Sequence, residues 1–186
     1  MFIVLEGLDG CGGETQARFL RELCGAKTFD FPDYNDDFGQ KIKSFLKGKS
    51  DLSLEMKALL YMASFVKNKE DIINNDFVVA DRYLTSTLVY QGMEGLDQTE
   101  MIGVASFFKL PKPDLIIYLR ITPEESQRRK KDEHGELDRH EADLEFLKKV
   151  MAGYDEAAEK NLWSKWVVID GTLSREEIHQ KIKSLL

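Results

Sequence analysis

Residues 2–15, FIVLEGLDGCGGET, constrain this chain more than any other stretch. An apolar run from Phe2 to Leu5 meets a turn dense in glycine (Gly7, Gly10, Gly12, Gly13), and Ala17, Phe19, Leu20 and Leu23 follow at helical spacing. The order is strand, glycine loop, helix. Glycines let successive backbone N–H groups turn inward, and a helix N-terminus adds partial positive charge, so the element suits a chain of phosphates. Gly7 and Gly12 meet the spacing G-x-x-x-x-G-K-[ST], but Gly13 stands where the lysine belongs and Glu14 where the first hydroxyl belongs. The cradle is present without its cation. A glycine-rich turn can also be only a tight turn, so the rest of the chain has to decide.

Beyond the loop, strand and helix patterns alternate. Lys27 to Phe31, Phe77 to Ala80, Leu115 to Leu119 and Trp166 to Ile169 are short apolar strand candidates. Between them, helical spacing predicts helices over Gln40–Leu46, Leu52–Ile73, residues 84–92, Gln98–Phe108 and Asp143–Asn161, with another beginning at Thr122-Pro123 and a last one over Ser174–Leu186. Such alternation predicts an α/β fold, a parallel five-stranded sheet with right-handed crossovers and helices on both faces, and a ligand crevice beyond the strand C-termini. Asp81-Arg82-Tyr83 ends one strand and therefore faces that crevice. Tyr61 and Phe65 share a helix face, as do Ser86 and Tyr90; from spacing alone, the first pair fits core packing as well as base stacking. Residues 128–141, RRKKDEHGELDRHE, are almost free of apolar side chains. They fit a solvated surface turn or a flap that closes on phosphates.

At 186 residues the chain fits one domain spanning residues 1–186. A net charge of −7 argues against a broad grip on nucleic acid but is compatible with a local basic pocket for a small polyphosphate. Without a long apolar run or a signal pattern, the expectation is a cytoplasmic protein that does not enter a membrane. Cys11 and Cys24 have neither metal-site spacing nor disulfide density.

Glu6-Gly7-Leu8-Asp9-Gly10, Phe31-Pro32 with Gly39, Leu59-Leu60-Tyr61 with Ala63, and above all DRYLTSTLVYQG at residues 81–92 carry a resemblance to the thymidylate kinase family. GELDRHE, residues 135–141, resembles the lid segment of its bacterial-type members. The resemblance implies a three-layer P-loop NTPase-type fold with a mobile lid near 128–141, and phosphorylation of dTMP to dTDP with ATP and Mg2+. It places Asp9 by the sugar hydroxyl and acceptor phosphate, Arg82 on the monophosphate, and Tyr61 on the thymine. Ser86 and Gln91 would contact the base and Tyr90 the deoxyribose, with Phe31, Phe65 and Glu141 in the same acceptor pocket. The donor would lie on Gly7, Gly10, Cys11, Gly12, Gly13, Glu14 and Thr15, with Asp170-Gly171-Thr172 passing the adenine. Glu14 and Asp81 are the metal candidates. With lysine absent at position 13, the cluster Arg128, Arg129, Lys130 and Lys131 would supply the catalytic cation, Arg128 first, then Arg129, with Lys131 a further candidate and Arg139 in the lid. The resemblance also implies a homodimer, for which the apolar faces from Met56 to Val66 and Met101 to Phe108 are available. Two other readings stay open: a nucleotide-binding relative with impaired catalysis, and a deoxynucleoside kinase.

Overall fold

Strand β1 (Phe2–Glu6) is buried at every position, as expected of a central strand covered on both faces. It lies between β3 (Val78–Asp81) and β4 (Leu115–Arg120), and β2 (Lys27–Asp30) and β5 (Trp166–Asp170) complete the sheet in the order β2-β3-β1-β4-β5, all parallel. This is the computed structural model of the chain; it describes residues 1–186, the side chain of His134 excepted. Because the chain moves from β1 toward β3 on one side and toward β4 on the other, the strand order reverses at β1. A crevice opens there beyond the strand C-termini. The segments that follow β1, β2, β3 and β5 line it.

Helices α1 (Gly13–Cys24), α2 (Asp37–Leu46), α3 (Leu54–Ile73), α4 (Leu84–Met93), α5 (Gln98–Phe107), α6 (Pro123–His134), α7 (Leu144–Glu159) and α8 (Arg175–Lys183) join the strands. Several helix ends shift by one to three residues from the sequence expectation, and two differences have a clear cause. Helix α2 starts at Asp37 rather than Gln40, because Asp36 caps it by accepting from Gly39 N at 2.8 Å. Helix α6 continues through the cations that read as a flap. Its support comes from side-chain pairs along the helix, Arg128 with Glu125 and Asp132 and Lys130 with Glu133, rather than from an apolar stripe. Large apolar side chains stay exposed on α3 and α5, Leu59 at 58% and Phe107 at 79%. Among the described residues no helix is long and apolar enough to cross a membrane.

Candidate active site

The glycine loop closes on itself through Cys11 N–H to Leu8 O at 3.1 Å and then enters α1 through Gly12, which has φ 102°. No side chain caps this helix. The first N–H groups of α1 are therefore available to an anion. Cys11 is buried, and burial followed by the Asp81 carboxylate pushes its thiol up to about 12, so it stays protonated as part of the loop wall. Gly13 has a specific steric reason to be glycine: a β-carbon there would overlap the carboxylate of Asp81. A lysine at position 13 is thus excluded while Asp81 keeps its place. Burial raises the Asp81 carboxyl to about 7; Asp30, Glu6 and Asp9 add to the shift while Arg82 opposes it.

At the other end of the crevice the chain is fully engaged. Arg82 adopts φ 65°, a left-handed conformation that costs a non-glycine residue ~1–2 kcal/mol. Its backbone is held by Leu5 O at 2.9 Å. Its guanidinium donates to Asp9 Oδ1 at 2.8 Å, to the Tyr154 hydroxyl at 3.3 Å and to Ser86 Oγ at 3.5 Å. Burial works against the charge, but Asp9, Tyr90, Tyr154 and Glu6 outweigh it and hold Arg82 well above the usual arginine value. Behind it lies Glu6, 1% exposed at the end of β1. Glu6 accepts from Tyr83 N at 3.2 Å, Ser86 N at 3.1 Å, Ser86 Oγ at 2.5 Å, Tyr154 Oη at 2.9 Å and also from Thr85 Oγ1. It thereby caps the otherwise uncapped N-terminus of α4. Burial pushes the Glu6 carboxyl up, and the Ser86 and Thr85 hydroxyls with the Arg82 charge pull it back.

Aromatic rings surround this pair. Arg82 Cζ stands 5.6 Å from the centroid of Tyr90, whose ring stacks on His140 at 6.0 Å. Tyr61 is half-buried against the core, and its hydroxyl, raised chiefly by burial, feels Tyr34, Arg82, Tyr90 and Asp9. Tyr34 lies in the crevice wall, and burial, then Asp9, pushes its hydroxyl up to about 12.

A cavity of about 990 Å³ runs from Arg82 and Asp9 along the glycine loop to the start of α8, with Asp30–Asn35 on one side and Arg129, Lys130, Asp132 and Glu133 of α6 on the other. Most of the expected donor loop lines it: Gly10, Cys11, Gly12, Gly13, Glu14 and Thr15; Phe31 and Asp81 do as well. Several expected residues are placed elsewhere or are already engaged. Phe65 is 1% exposed and packs on Phe31 and Tyr83 at 5.1 and 4.8 Å, inside the core. Arg128 points to solvent in ion pairs with Glu125 and Asp132 at 2.8 and 2.9 Å. Arg139 pairs with Asp51 at 3.3 Å and lies over Phe45. Arg129 is consumed as a clamp, donating to Glu125 Oε1, Gly10 O and Gly171 O at 2.6, 3.0 and 2.9 Å. Gln91 is 2% exposed with an unpartnered side-chain oxygen, and Glu141 accepts from Asp138 N at 2.9 Å. Asp170 binds Thr172 rather than lining the cavity; the wall there is Leu173, Ser174 and Arg175.

Three participants, Glu6, Tyr154 and Ser126, escaped the sequence reading, and a fourth, Lys130, was not singled out from its cluster. Glu6 lay inside the motif EGLDG without a role, and its signal was a carboxylate ending a wholly apolar strand. Lys130 was one cation among four; its stem packs on Gly10, and its ammonium meets Glu133 at 2.8 Å and Glu141 at 3.8 Å. Tyr154 read as one more apolar position of an amphipathic helix and gave no signal. Ser126, fully buried, donates to Asp9 O at 2.7 Å. The arrangement combines an N–H-lined anion cradle, a guanidinium–carboxylate pair and flanking aromatic rings in one crevice, which suits a phosphorylated nucleoside beside a second phosphate chain.

Comparison with known proteins bears on that arrangement. A "Probable thymidylate kinase" of Pyrococcus abyssi is 32% identical over 200 residues, covering 100% of this chain and 95% of the relative. One of Methanocaldococcus jannaschii with the same name is 34% identical over 187 residues, covering 98% and 93%. Among solved structures, a thymidylate kinase from Candida albicans superposes with a TM-score of 0.76 at 24% identity, covering 99% of this chain and 89% of that one. A deoxyadenosine kinase from M. mycoides gives 0.74 at 18%, covering 100% and 98%, and these two likenesses speak to the fold. The family profile described as thymidylate kinase matches residues 5–182. With a match over nearly its whole length, the chain belongs to the thymidylate kinase family.

Proposed function

We propose that this phosphotransferase moves the γ-phosphoryl group of ATP to the phosphate of dTMP, giving dTDP and ADP. The observation that carries the reading is the Arg82–Asp9 pair at 2.8 Å, held at the crevice by buried Glu6. Arg82 would grip the acceptor phosphate with two N–H bonds, and Asp9 would accept from the sugar hydroxyl once substrate loosens its ion pair. Tyr61 would lie on the base and Tyr90 against the deoxyribose. In the transfer an acceptor phosphate oxygen attacks the γ-phosphorus in line and the bond to the β-bridging oxygen breaks, so the residues need only position and stabilise charge.

The family generally uses a divalent metal, and the residues here fit Mg2+ in one respect. Asp81 and Glu14 line the same cavity, and among the described residues no donor hydrogen-bonds the Asp81 carboxylate. No cluster of three or more metal-ligating side chains occurs among the described residues, so an ion would take its other ligands from phosphate and water. When bound it supplies positive charge to the donor phosphates. We further place the enzyme in the cytoplasm and as a homodimer through the exposed faces of α3 and α5; a monomer mass by light scattering at micromolar concentration would refute the dimer.

A second reading, a nucleotide binder with impaired catalysis, is favoured by one observation: Asp81 fills the space that a lysine at position 13 would need. A positioned cation on the transferring group can be worth ~10³–10⁵ in rate. A coupled ADP-release assay with dTMP, thymidine and other monophosphates separates the readings. Turnover of dTMP supports the proposal, turnover of thymidine alone points to a deoxynucleoside kinase, and dTMP binding without turnover of any acceptor supports the impaired relative.

A further inference from the structure

Of the four cations that line the cavity, three are already engaged. Arg82 is paired with Asp9, Arg129 with Glu125 and two carbonyls, and Lys130 with Glu133. The fourth, Arg175, lines the cavity beside Gly12–Gln16, and among the described residues no carboxylate pairs with its guanidinium.

Its position also runs against local preference. Arg175 is the first residue of α8, directly after the N-cap Ser174. Cations are disfavoured in a first helical turn, where Glu176 and Glu177 follow the usual rule. A residue that breaks a local rule without a local compensation marks a functional position.

The site around it is built. Buried Gln16 donates from Nε2 to Arg175 O at 3.0 Å, which fixes the start of α8 to the first turns of α1. Further along, Phe19 and His179 pack with ring centroids 4.7 Å apart. Contacts between Gln16 and Arg175 and then between Phe19 and His179 advance in the same direction along both helices, so α1 and α8 run parallel. Two helix N-termini therefore open on the same end of the cavity, and their partial charges add there. The other oxygen of this corner, Gln16 Oε1, is buried and has no partner.

We infer that Arg175, carried on α8, is the donor-phosphate-binding cation that takes over ground-state binding from the lysine absent at position 13. The inference rests on the reading of the glycine-loop end as the donor site. A guanidinium reaching in from α8 needs no room at position 13, where Asp81 stands, and it meets the phosphates from the side of the cradle opposite Arg82. It offers two parallel N–H bonds where an ammonium offers a point charge.

Isothermal titration of the full chain in Mg2+ buffer with ATP, inorganic tripolyphosphate and dTMP tests this. Removing a charge-assisted contact should weaken ATP and tripolyphosphate alike in R175A, by roughly 10-fold or more, with R175K intermediate and dTMP within about twofold. Thermal unfolding of R175A should match the parent, since the side chain is exposed. Unchanged ATP affinity in R175A overturns the inference and leaves the kinase reading standing. Loss for ATP but not for tripolyphosphate moves the contact to base or sugar and overturns the phosphate assignment. Loss for all three ligands with a lowered unfolding temperature marks a structural role and also overturns it. If the unmodified chain binds no ATP, the donor reading itself fails, and this inference with it.

Discussion

The two ends of the crevice are built on opposite principles. At the Arg82 end, side chains carry the architecture: Glu6, Arg82, Ser86, Tyr154 and Asp9 bond to one another across β1, the glycine loop, the end of β3, α4 and α7, and hardly one can change without stranding another. At the glycine-loop end, backbone N–H groups line the cavity, and the side chains around them, Asp81, Glu14 and Asp30, are acids that nothing in the loop neutralises. An interlocked network cannot lose a member piecemeal, because each deletion leaves a buried polar group unpaired. A cradle of N–H groups retains its shape when a side chain is exchanged. Two departures from the family pattern, Gly13 and Glu14, fall in that cradle, while residues 81–92, which hold Arg82 and Ser86 of the network, follow the pattern without a gap.

That contrast can be broken by experiment. The largest effect should follow R82A: dTMP binding falls by ~2–4 kcal/mol while ATP affinity stays within about threefold, as measured by calorimetry. An unchanged dTMP affinity would remove Arg82 from the acceptor site. Next comes E6Q, which keeps volume but turns a multiple acceptor into a group that is half donor. Urea unfolding should register a loss of ~2–3 kcal/mol, and dTMP binding should weaken along with it because Ser86 and Tyr154 no longer steady Arg82. A variant as stable as the parent would show that the network is slack.

The donor end should respond in the opposite manner, with a cost that a second substitution removes. G13A forces a β-carbon onto the Asp81 carboxylate and is expected to cost ~1–2 kcal/mol; in G13A/D81A most of that cost should vanish, a coupling that a double-mutant cycle measures directly. Strict additivity would deny the steric reason given for Gly13. Smallest of all is the pH effect at α6. Hydrogen bonds from Arg128 and Arg129 hold the Glu125 carboxyl down to about 2, from 4.5. A depressed carboxylate stabilises the fold above its unfolded value and loses that contribution as pH falls through the folded one. Relative to E125Q, the parent should therefore be more stable by about 0.5 kcal/mol above pH 5, the gap closing between about pH 4.5 and 2. A gap unchanged between pH 5 and pH 2 would assign it to packing instead.

Much of the fold was legible because its central strands β1, β3 and β4 are buried almost throughout and read as short apolar runs between helical periods. The glycine loop and the Asp81-Arg82 strand end were legible for the same reason, each sitting where such a run stops. What stayed hidden depends on partners far apart in sequence. Nothing around Gly13 announces that residue 81 occupies its neighbourhood. Nothing in RRKK tells that the first arginine faces water, the second clamps two carbonyls and the lysine after it rests on Gly10. Helical phase assigns those fates, and an almost purely charged segment gives no apolar stripe from which to read the phase. Phe65 and Tyr61 share a helix face in sequence, yet one ring closes the core while the other stays partly exposed at its edge, a division that spacing alone left open.

Arg129 has a consequence of its own. By joining Gly10 O to Gly171 O it stores the outline of the phosphate cradle in a residue more than a hundred positions away, on a different element. The loop is then a surface that can be rewritten without being dismantled, since its curvature is specified elsewhere. Such separation of shape from chemistry makes positions 13 and 14 the natural place to exchange one donor for another, and makes Arg129, which need never touch a nucleotide, the residue whose loss would end that freedom.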